Sequence, residues 1–178
     1  VGKMIPDYTF NTITYYPKQK ATISDFRGKW LFLDFWSTGC STCFKSFSKI
    51  NALQHEFKEE ASFLLVGNND YKYNKGIRAL YEKFRDKQNL ELASAYDSAI
   101  FDSWEIGSVP HIVIVNPDGI VIAITEGSGI TKERIRDLMD GKNISFASKK
   151  EGPGFNSALI AKSNILYRST ISKYNGES

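Results

Sequence analysis

Two cysteines, Cys40 and Cys43, are the residues of this chain best suited to covalent chemistry. They are the only cysteines among 178 residues, and two residues separate them. The run before them, residues 30–36, is almost entirely apolar or aromatic, as in a strand buried on both faces. After them, apolar residues recur at three- and four-residue steps, which predicts a helix. A Cys-x-x-Cys pair that opens a helix between two strands is the arrangement that dithiol redox chemistry requires.

The start of a helix is a favourable place for a reactive sulfur. Unpaired backbone N–H groups and the positive end of the helix macrodipole both stabilise a thiolate, which is the nucleophilic form of cysteine. Cys43 lies one turn further along the same face, so the two sulfurs can form a disulfide without a large backbone movement. We therefore expect Cys40 to attack the disulfide of a partner and Cys43 to resolve the mixed disulfide.

The cysteine pair has two alternatives to redox chemistry. An inert structural disulfide would close so short a loop that it would restrict the unfolded chain very little. A zinc site would need further ligands, and His55 and His111 do not have the His-x(3–5)-His spacing of finger-type sites. We favour redox chemistry, with the disulfide itself as the redox group and no further cofactor or metal.

Asp34 is a carboxylate inside the otherwise apolar run 30–36. An unpaired carboxylate in a protein interior has a raised pKa, which suits a proton acceptor for the more buried thiol. The alternative is that Asp34 turns to the end of the strand and is hydrated. We favour the role in proton transfer.

The stretch 24–43 resembles the TlpA/ResA-like branch of the thioredoxin superfamily. In that branch, a lead-in of the form L-x-D-F-x-G-K precedes a hydrophobic strand that ends in Phe-Trp and then the Cys-x-x-Cys. Further on, Val109-Pro110, the apolar run 111–115 and the turn after it look like the cis-proline strand and hairpin of the family. The resemblance extends over about residues 5–140 and rests on several motifs in the same order. It implies a thiol–disulfide oxidoreductase.

The resemblance also assigns further residues to the site. It implies that Pro110 follows a cis bond and faces the disulfide, and that the backbone of Val109 pairs with the bound substrate chain. An ordinary trans proline at the start of a strand is the alternative. The acid of thioredoxins matches Asp34. We expect Cys40, Cys43, Asp34 and Pro110 to be catalytic, and Trp36, Gly39, Val109 and Pro110 to contact the substrate.

Several positions depart from the family pattern. Gly39 stands where the family usually has Trp, which removes a flat aromatic ring from the rim of the site. Ser41-Thr42 replaces the commoner Gly-Pro or Glu-Pro dipeptide, and Ser48 replaces a proline that often kinks the helix. His111 replaces Thr beside the proline, and we expect it to be a partly exposed histidine of no special role. These departures leave the reduction potential unpredicted.

The predicted fold class is α/β, a thioredoxin-like fold with a central mixed β-sheet flanked by helices. It carries an N-terminal β-hairpin in residues 1–29, a helix–strand insertion of the TlpA type and a C-terminal extension. We divide the chain into a thioredoxin-like domain, 1–142, and a linker with a C-terminal extension, 143–178, which could belong to a further region. The predicted strands are 30–36, 62–66, 90–95, 111–115 and 120–124, and the predicted helices are 41–59, one around residues 77–84, 99–104 and 131–140.

Charge and hydropathy limit the partners. A net charge of +3 with scattered lysines does not indicate nucleic-acid binding, and no apolar run is long enough to cross a membrane. We expect a monomer that exchanges electrons with protein disulfides or dithiols and with an upstream thiol reductant. The family acts outside the bacterial cytoplasm, and a single cysteine pair suits an oxidising compartment. Because the chain begins at Val1, we expect a processed or truncated product whose signal or membrane anchor lies outside this sequence.

The expected function is therefore an extracytoplasmic reductant of protein disulfides, with two alternatives. A peroxiredoxin-like peroxidase would have the signature Pro-x-x-x-Thr/Ser-x-x-Cys, of which Ser37 supplies the hydroxyl while Leu33 occupies the proline position. A Sco-like copper-binding chaperone would bind metal through two cysteines and a histidine, but that family spaces its cysteines by three residues. His111 is the histidine such a site would need.

Overall fold

A computed structural model describes residues 1–147 of the chain, so most of the predicted C-terminal extension, 148–178, lies outside the described residues. The strands are β1 (Thr9–Phe10), β2 (Ile13–Thr14), β3 (Ala21–Thr22), β4 (Trp30–Trp36), β5 (Ala61–Gly67), β6 (Ala93–Tyr96), β7 (His111–Val115) and β8 (Val121–Thr125). The α-helices are α1 (Ser41–Glu56), α2 (Ile77–Gln88), α3 (Ala99–Ser103) and α4 (Lys132–Met139).

A six-stranded mixed sheet forms the centre of the fold, in the order β2-β6-β5-β4-β7-β8. The pairs β4–β5 and β5–β6 are parallel, whereas β7 runs antiparallel to both β4 and β8. Since β4 lies between β5 and β7, its backbone hydrogen-bonds on both edges and its two faces are covered. The prediction of an α/β fold with a central mixed sheet is confirmed.

Strand β4 carries large side chains to both sides of the sheet. Because successive residues of a strand point to opposite faces, Phe32, Asp34 and Trp36 share one face. Phe32 and Trp36 pack there with Cys43 and Phe47 of α1. The other β4 residues, Leu31, Leu33 and Phe35, belong to the core on the opposite face. Burial on both faces therefore explains the apolar run of β4, as predicted.

Helix α1 starts where predicted but ends earlier than the expected residue 59. Its buried stripe is Cys43, Phe47, Ile50 and Leu53. Phe57 ends the helix by donating its N–H to the Leu53 carbonyl oxygen, and Ala61 N–H then donates to the Phe57 carbonyl oxygen at 2.7 Å. The chain must turn over residues 57–60 to enter β5 in a parallel direction, so the last residues of the expected helix form this turn.

The N-terminal region contains the predicted hairpin in a shorter form. Strands β1 and β3 pair antiparallel, but β2 leaves the hairpin and pairs with β6 at the edge of the main sheet. Phe10 and Ile13 are both buried, and two residues three apart in one strand would point to opposite faces. The break between β1 and β2 lets both side chains reach the core.

The predicted helix–strand insertion is present as α2 and β6, and β6 extends the sheet beside β5. The strand begins at Ala93 rather than at Leu90, and Leu90 and Leu92 are buried before it. None of the helices within residues 1–147 combines the length and the apolar character needed to span a membrane.

Residues 143–147 of the predicted linker run along the domain without regular secondary structure. Phe146 is buried, Ile144 packs against the core beneath α1, and the Thr125 hydroxyl donates to the Ala147 carbonyl oxygen at 2.8 Å. The first residues after position 142 are therefore in contact with the thioredoxin-like domain.

Replacement of Phe47 tests the packing of α1 on the sheet. Its fully buried ring packs against Trp36, Tyr81 and Phe84. We expect Phe47→Ala to lower the free energy of unfolding by about 3–5 kcal/mol, because the apolar contacts are lost and a cavity remains. Urea unfolding measures this, with the exposed Lys45→Ala on the same helix as the control. A loss no larger than the control's would contradict the described packing.

Candidate active site

Cys40 and Cys43 form a disulfide at the start of α1, with an S–S distance of 2.03 Å and a Cα–Cα distance of 5.3 Å. Cys40 is the N-cap residue of the helix, and its Sγ accepts a hydrogen bond from the Cys43 N–H at 3.2 Å. Cys40 remains 7% exposed, whereas Cys43 is fully buried. Of the two cysteines, Cys40 is therefore the one that retains exposed surface.

The local structure favours a thiolate at Cys40. A free N–H group of the first turn points at its sulfur, and the positive end of the macrodipole lies there. The first turn, residues 41–44, has no acidic side chain to oppose this effect. We therefore expect the reduced protein to favour the thiolate form of Cys40, because negative charge is stabilised at this position.

Asp34 is buried beneath α1, on the face of β4 that it shares with Trp36. Both of its carboxylate oxygens are buried, and neither has a hydrogen-bond partner among the described residues. Burial raises the pKa of Asp34 to about 7, because the charged form loses its hydration, and the positive charge of Lys49 opposes this shift. The expectation of a buried carboxyl with a raised pKa is confirmed. The alternative, a hydrated Asp34 at the end of the strand, is wrong.

Lys49 is a site residue that the sequence reasoning missed. The positive charge of Lys49 lowers the pKa of Asp34 and so opposes the effect of burial. Its Nζ donates to the Gly127 carbonyl oxygen at 2.9 Å. The sequence contained a signal for it, because Thr42, Lys45, Ser46 and Lys49 recur at helical spacing beside the apolar stripe of α1. This polar stripe lies beside the apolar one and has the same helical spacing.

The polar stripe of α1 lines a cavity of about 280 Å³ next to the disulfide. Its walls are Thr42, Lys45, Ser46 and Lys49 on one side and Pro110, Glu126, Gly127 and Ser128 on the other. Pro110 therefore lies across the cavity from Thr42, which stands between the two cysteines in the chain. The bond between Val109 and Pro110 is cis, as the family resemblance implied.

Trp36 and Gly39 have different places in the site. Trp36 is fully buried and packs edge-on against Phe44 and Phe47, so it supports α1 from beneath rather than facing the groove. Its burial follows from its position at the end of a strand covered on both faces. Gly39 is exposed, and no described atom lies within 4 Å of the place where its Cβ would be. The rim before Cys40 is open.

The geometry bears on both alternative functions. Leu33 lies in the middle of β4, paired with Leu64 and Val113, where a peroxiredoxin would have its signature proline. The His111 ring is buried and packs edge-on against Phe35, on the sheet face opposite α1. His111 is therefore less exposed than expected and does not face the sulfurs. Residues 1–147 contain no cluster of three His, Cys, Asp or Glu side chains suited to a metal ion.

A disulfide closed across the first turn of a helix, with a cis-proline directly before β7 in a mixed sheet of this order, defines a thiol–disulfide oxidoreductase of thioredoxin-like fold. The model of the AhpC/TSA family matches residues 1–124. The chain belongs to this family.

Similar proteins agree with the predicted resemblance. ResA of Oceanobacillus iheyensis, named a thiol-disulfide oxidoreductase, is 25% identical over 143 residues, which are 79% of this chain and 71% of the relative. ResA of Geobacillus kaustophilus is 28% identical over 138 residues, 76% of this chain and 74% of the relative. The thioredoxin domain of thiol-disulfide oxidoreductase BVU-2223 from Bacteroides vulgatus has the same fold, with a TM-score of 0.60 at 20% identity over 80% of this chain and 97% of that one.

Asp34→Asn should change how stability depends on pH. In the folded protein the pKa of Asp34 is raised from 3.8 to about 7, so its contribution to stability is complete below pH 3.8 and is lost as the pH rises through about 7. Between these values this group alone costs about 1.4 kcal/mol of stability per pH unit. We expect Asp34→Asn to gain stability relative to the wild type from pH 5 to pH 8.

Urea unfolding of the disulfide form at pH 5 and pH 8 measures this difference. Lys49→Met is a useful companion, because removal of its charge raises the pKa of Asp34 further and extends the loss of stability to higher pH. An Asp34→Asn variant with the pH profile of the wild type would show that the carboxyl does not titrate as described.

Proposed function

We propose that the protein reduces disulfide bonds of other proteins outside the cytoplasm, with Cys40 as the attacking and Cys43 as the resolving cysteine. The observation that carries this proposal is the unequal burial of the two cysteines at the start of α1. An attacking sulfur must be accessible to the partner, whereas a resolving sulfur needs only to reach Cys40. The 7% exposed Cys40 and the fully buried Cys43 suit these two roles.

The proposed cycle has two exchange steps. In the reduced protein, the Cys40 thiolate attacks one sulfur of the substrate disulfide, a mixed disulfide forms, and the other substrate sulfur leaves as a thiolate that takes up a proton. Cys43 then loses its proton and attacks the Cys40 sulfur, which releases the second substrate thiol. The substrate gains two electrons, and the protein becomes the Cys40–Cys43 disulfide. An upstream thiol reductant returns it to the dithiol.

Asp34 is the proposed proton acceptor for Cys43. The second step needs a base near a thiol that bulk water does not reach, and Asp34 lies on the sheet face that α1 covers. A carboxyl with a pKa of about 7 is poised to accept or release a proton near neutral pH. Lys49 acts on Asp34 as a positioning residue, because its charge limits how far burial raises that pKa.

The proposed substrate contacts surround the accessible sulfur. Gly39 leaves space above the disulfide, and Pro110 forms a wall of the cavity beside Thr42. The backbone of Val109, which precedes β7, is proposed to pair with the substrate chain, as in the family that the sequence resembles. Trp36 contributes as a rigid support beneath α1.

The proposed location is supported by the resemblance and by cysteine usage, and the reducing direction of electron flow is part of the proposal. The chain has two cysteines, both in the disulfide, and it exposes no spare thiol to oxidation. A protein of this kind working outside the cytoplasm as a reductant depends on a supply of electrons from another dithiol. We propose that it works as a monomer.

Trapping experiments test the assigned roles. We expect Cys43→Ser to accumulate mixed disulfides with substrate proteins, because the resolving step is removed, and Cys40→Ser to accumulate none. Non-reducing electrophoresis with and without dithiothreitol measures the trapped species, and the double variant is the control. Trapping through Cys43 alone would reverse the roles.

The reduction potential of the pair tests the direction. For a reductant we expect a value near that of thioredoxin, about −270 mV, or lower. Thiol labelling across a series of dithiol and disulfide mixtures, read by mass shift, measures it. A value close to that of a strong oxidant, about −120 mV, would contradict the reductant assignment.

A further inference from the structure

Two of the most exposed aromatic side chains of the described chain lie in one loop, residues 68–76, which we call the tyrosine loop. Tyr71 is 77% exposed and Tyr73 is 71% exposed. Single exposed aromatic residues are common, but two in one short loop present a larger contact area. Neither ring is explained by packing in the core.

The tyrosine loop has a defined conformation. The Asp70 carboxylate accepts hydrogen bonds from the N–H groups of Lys72 and Tyr73, at 2.8 and 3.1 Å. Asn68 accepts a bond from the Asp70 N–H at 2.9 Å, and the Asn74 N–H donates to the Asp70 carbonyl oxygen at 2.8 Å. Because these bonds order the backbone in advance, a ligand that binds the two rings has less conformational entropy to remove.

The tyrosine loop is also joined to the segment that carries the reactive sulfur. The buried Asn74 side chain accepts from the Thr38 N–H at 3.0 Å and from the Thr38 hydroxyl at 3.1 Å. Thr38 stands two residues before Cys40. The loop that carries the two tyrosines is therefore hydrogen-bonded to the segment that leads into Cys40.

The rim of the site is open at the position next to this anchor. Gly39 is exposed and has no described atom within 4 Å of its missing Cβ, so the segment itself offers no side chain to a substrate there. Aromatic side chains supply large contact areas at low entropic cost. The tyrosine loop can provide from a neighbouring segment the aromatic contacts that Gly39 does not.

The charges of the loop indicate the chemistry of its partner. Lys72 Nζ lies 4.9 Å from the centre of the Tyr73 ring, and Lys75 Nζ lies 5.6 Å from the centre of the Tyr71 ring. The carboxylate of Asp70 is occupied by backbone N–H groups. The loop thus presents two aromatic rings with a positive charge beside each, which complements aromatic and acidic side chains.

We propose that the tyrosine loop is a docking surface for the protein whose disulfide Cys40 attacks, and that it binds an extended segment with aromatic and acidic side chains near the target cysteine. This inference rests on the proposed function. It adds the recognition of a class of substrate to the chemistry of the redox pair.

Kinetics with two substrates test the docking surface. One is a synthetic peptide with an intramolecular disulfide flanked by two phenylalanines and two glutamates, and the other is 2-hydroxyethyl disulfide, which is too small to span the loop. We expect the double variant Tyr71→Ala, Tyr73→Ala to raise KM for the peptide about tenfold, with kcat unchanged, from the loss of two aromatic contacts. The rate with the small disulfide should not change. The matched variant Tyr71→Phe, Tyr73→Phe should retain the wild-type KM.

A charge exchange tests the acidic preference. The double variant Lys72→Glu, Lys75→Glu should lose its preference for the glutamate peptide over the same peptide with lysines, and the difference should shrink as salt is added. The double variant Lys20→Glu, Lys58→Glu, at two exposed lysines outside the loop, is the control for the same change of net charge.

The outcomes separate this inference from the function on which it rests. A wild-type protein that reduces neither substrate would overturn the proposed function. A wild-type protein that reduces both, with an unchanged peptide KM in the alanine variant, would overturn the docking surface alone. Equal losses with both substrates would overturn it too, because the loop would then act through the redox pair. A dimer in sedimentation that the alanine variant abolishes would assign the loop to a second copy of the chain.

Discussion

The structure depends on the free N–H groups at the first turn of α1 and on the sulfur that accepts from one of them. Cys40 caps the helix through its Sγ, so the same contact begins the helix and prepares a thiolate. This arrangement holds only if α1 starts where β4 ends. Burial of β4 on both faces and packing of Phe47 against Trp36 fix that point. The reactivity of the site thus depends on the position of the junction between β4 and α1.

The second constraint is the cost of the Asp34 carboxyl in the core. A buried carboxylate without a hydrogen-bond partner lowers the stability of the folded protein. Because burial destabilises the charged form, the pKa of Asp34 is raised. A leucine at this position of β4 would pack without that cost. Lys49 reduces it only in part, since its ammonium is also held by the Gly127 carbonyl oxygen. The proposed transfer of a proton during exchange gives a functional reason for this loss of stability.

The redox pair, β4 and the start of α1 were predictable because their sequence signals are local. The spacing of Cys40 and Cys43, the apolar run of β4 and the stripe of α1 each reflect a short-range period. Local signals did not predict where α1 ends, that the hairpin splits at β2 or that His111 is buried. These features depend on which faces other elements cover, and no local period carries that information. Lys49 belongs to the polar stripe of α1, which has helical spacing in the sequence. Its electrostatic effect on Asp34 was not predictable, because Asp34 lies on β4.

By itself, the sequence determined the redox pair, its place at a helix start and the buried acid in the preceding strand, because these follow from residue type and spacing along one segment. Only the tertiary structure decided which sulfur is accessible and that the Lys49 ammonium acts on Asp34. It also decided that Asn74 joins the loop with two exposed tyrosines to Thr38, two residues before Cys40. The physical reason is that exposure, electrostatic interaction and anchoring depend on distances between segments far apart in the chain, and these distances are set by the packing of the whole sheet.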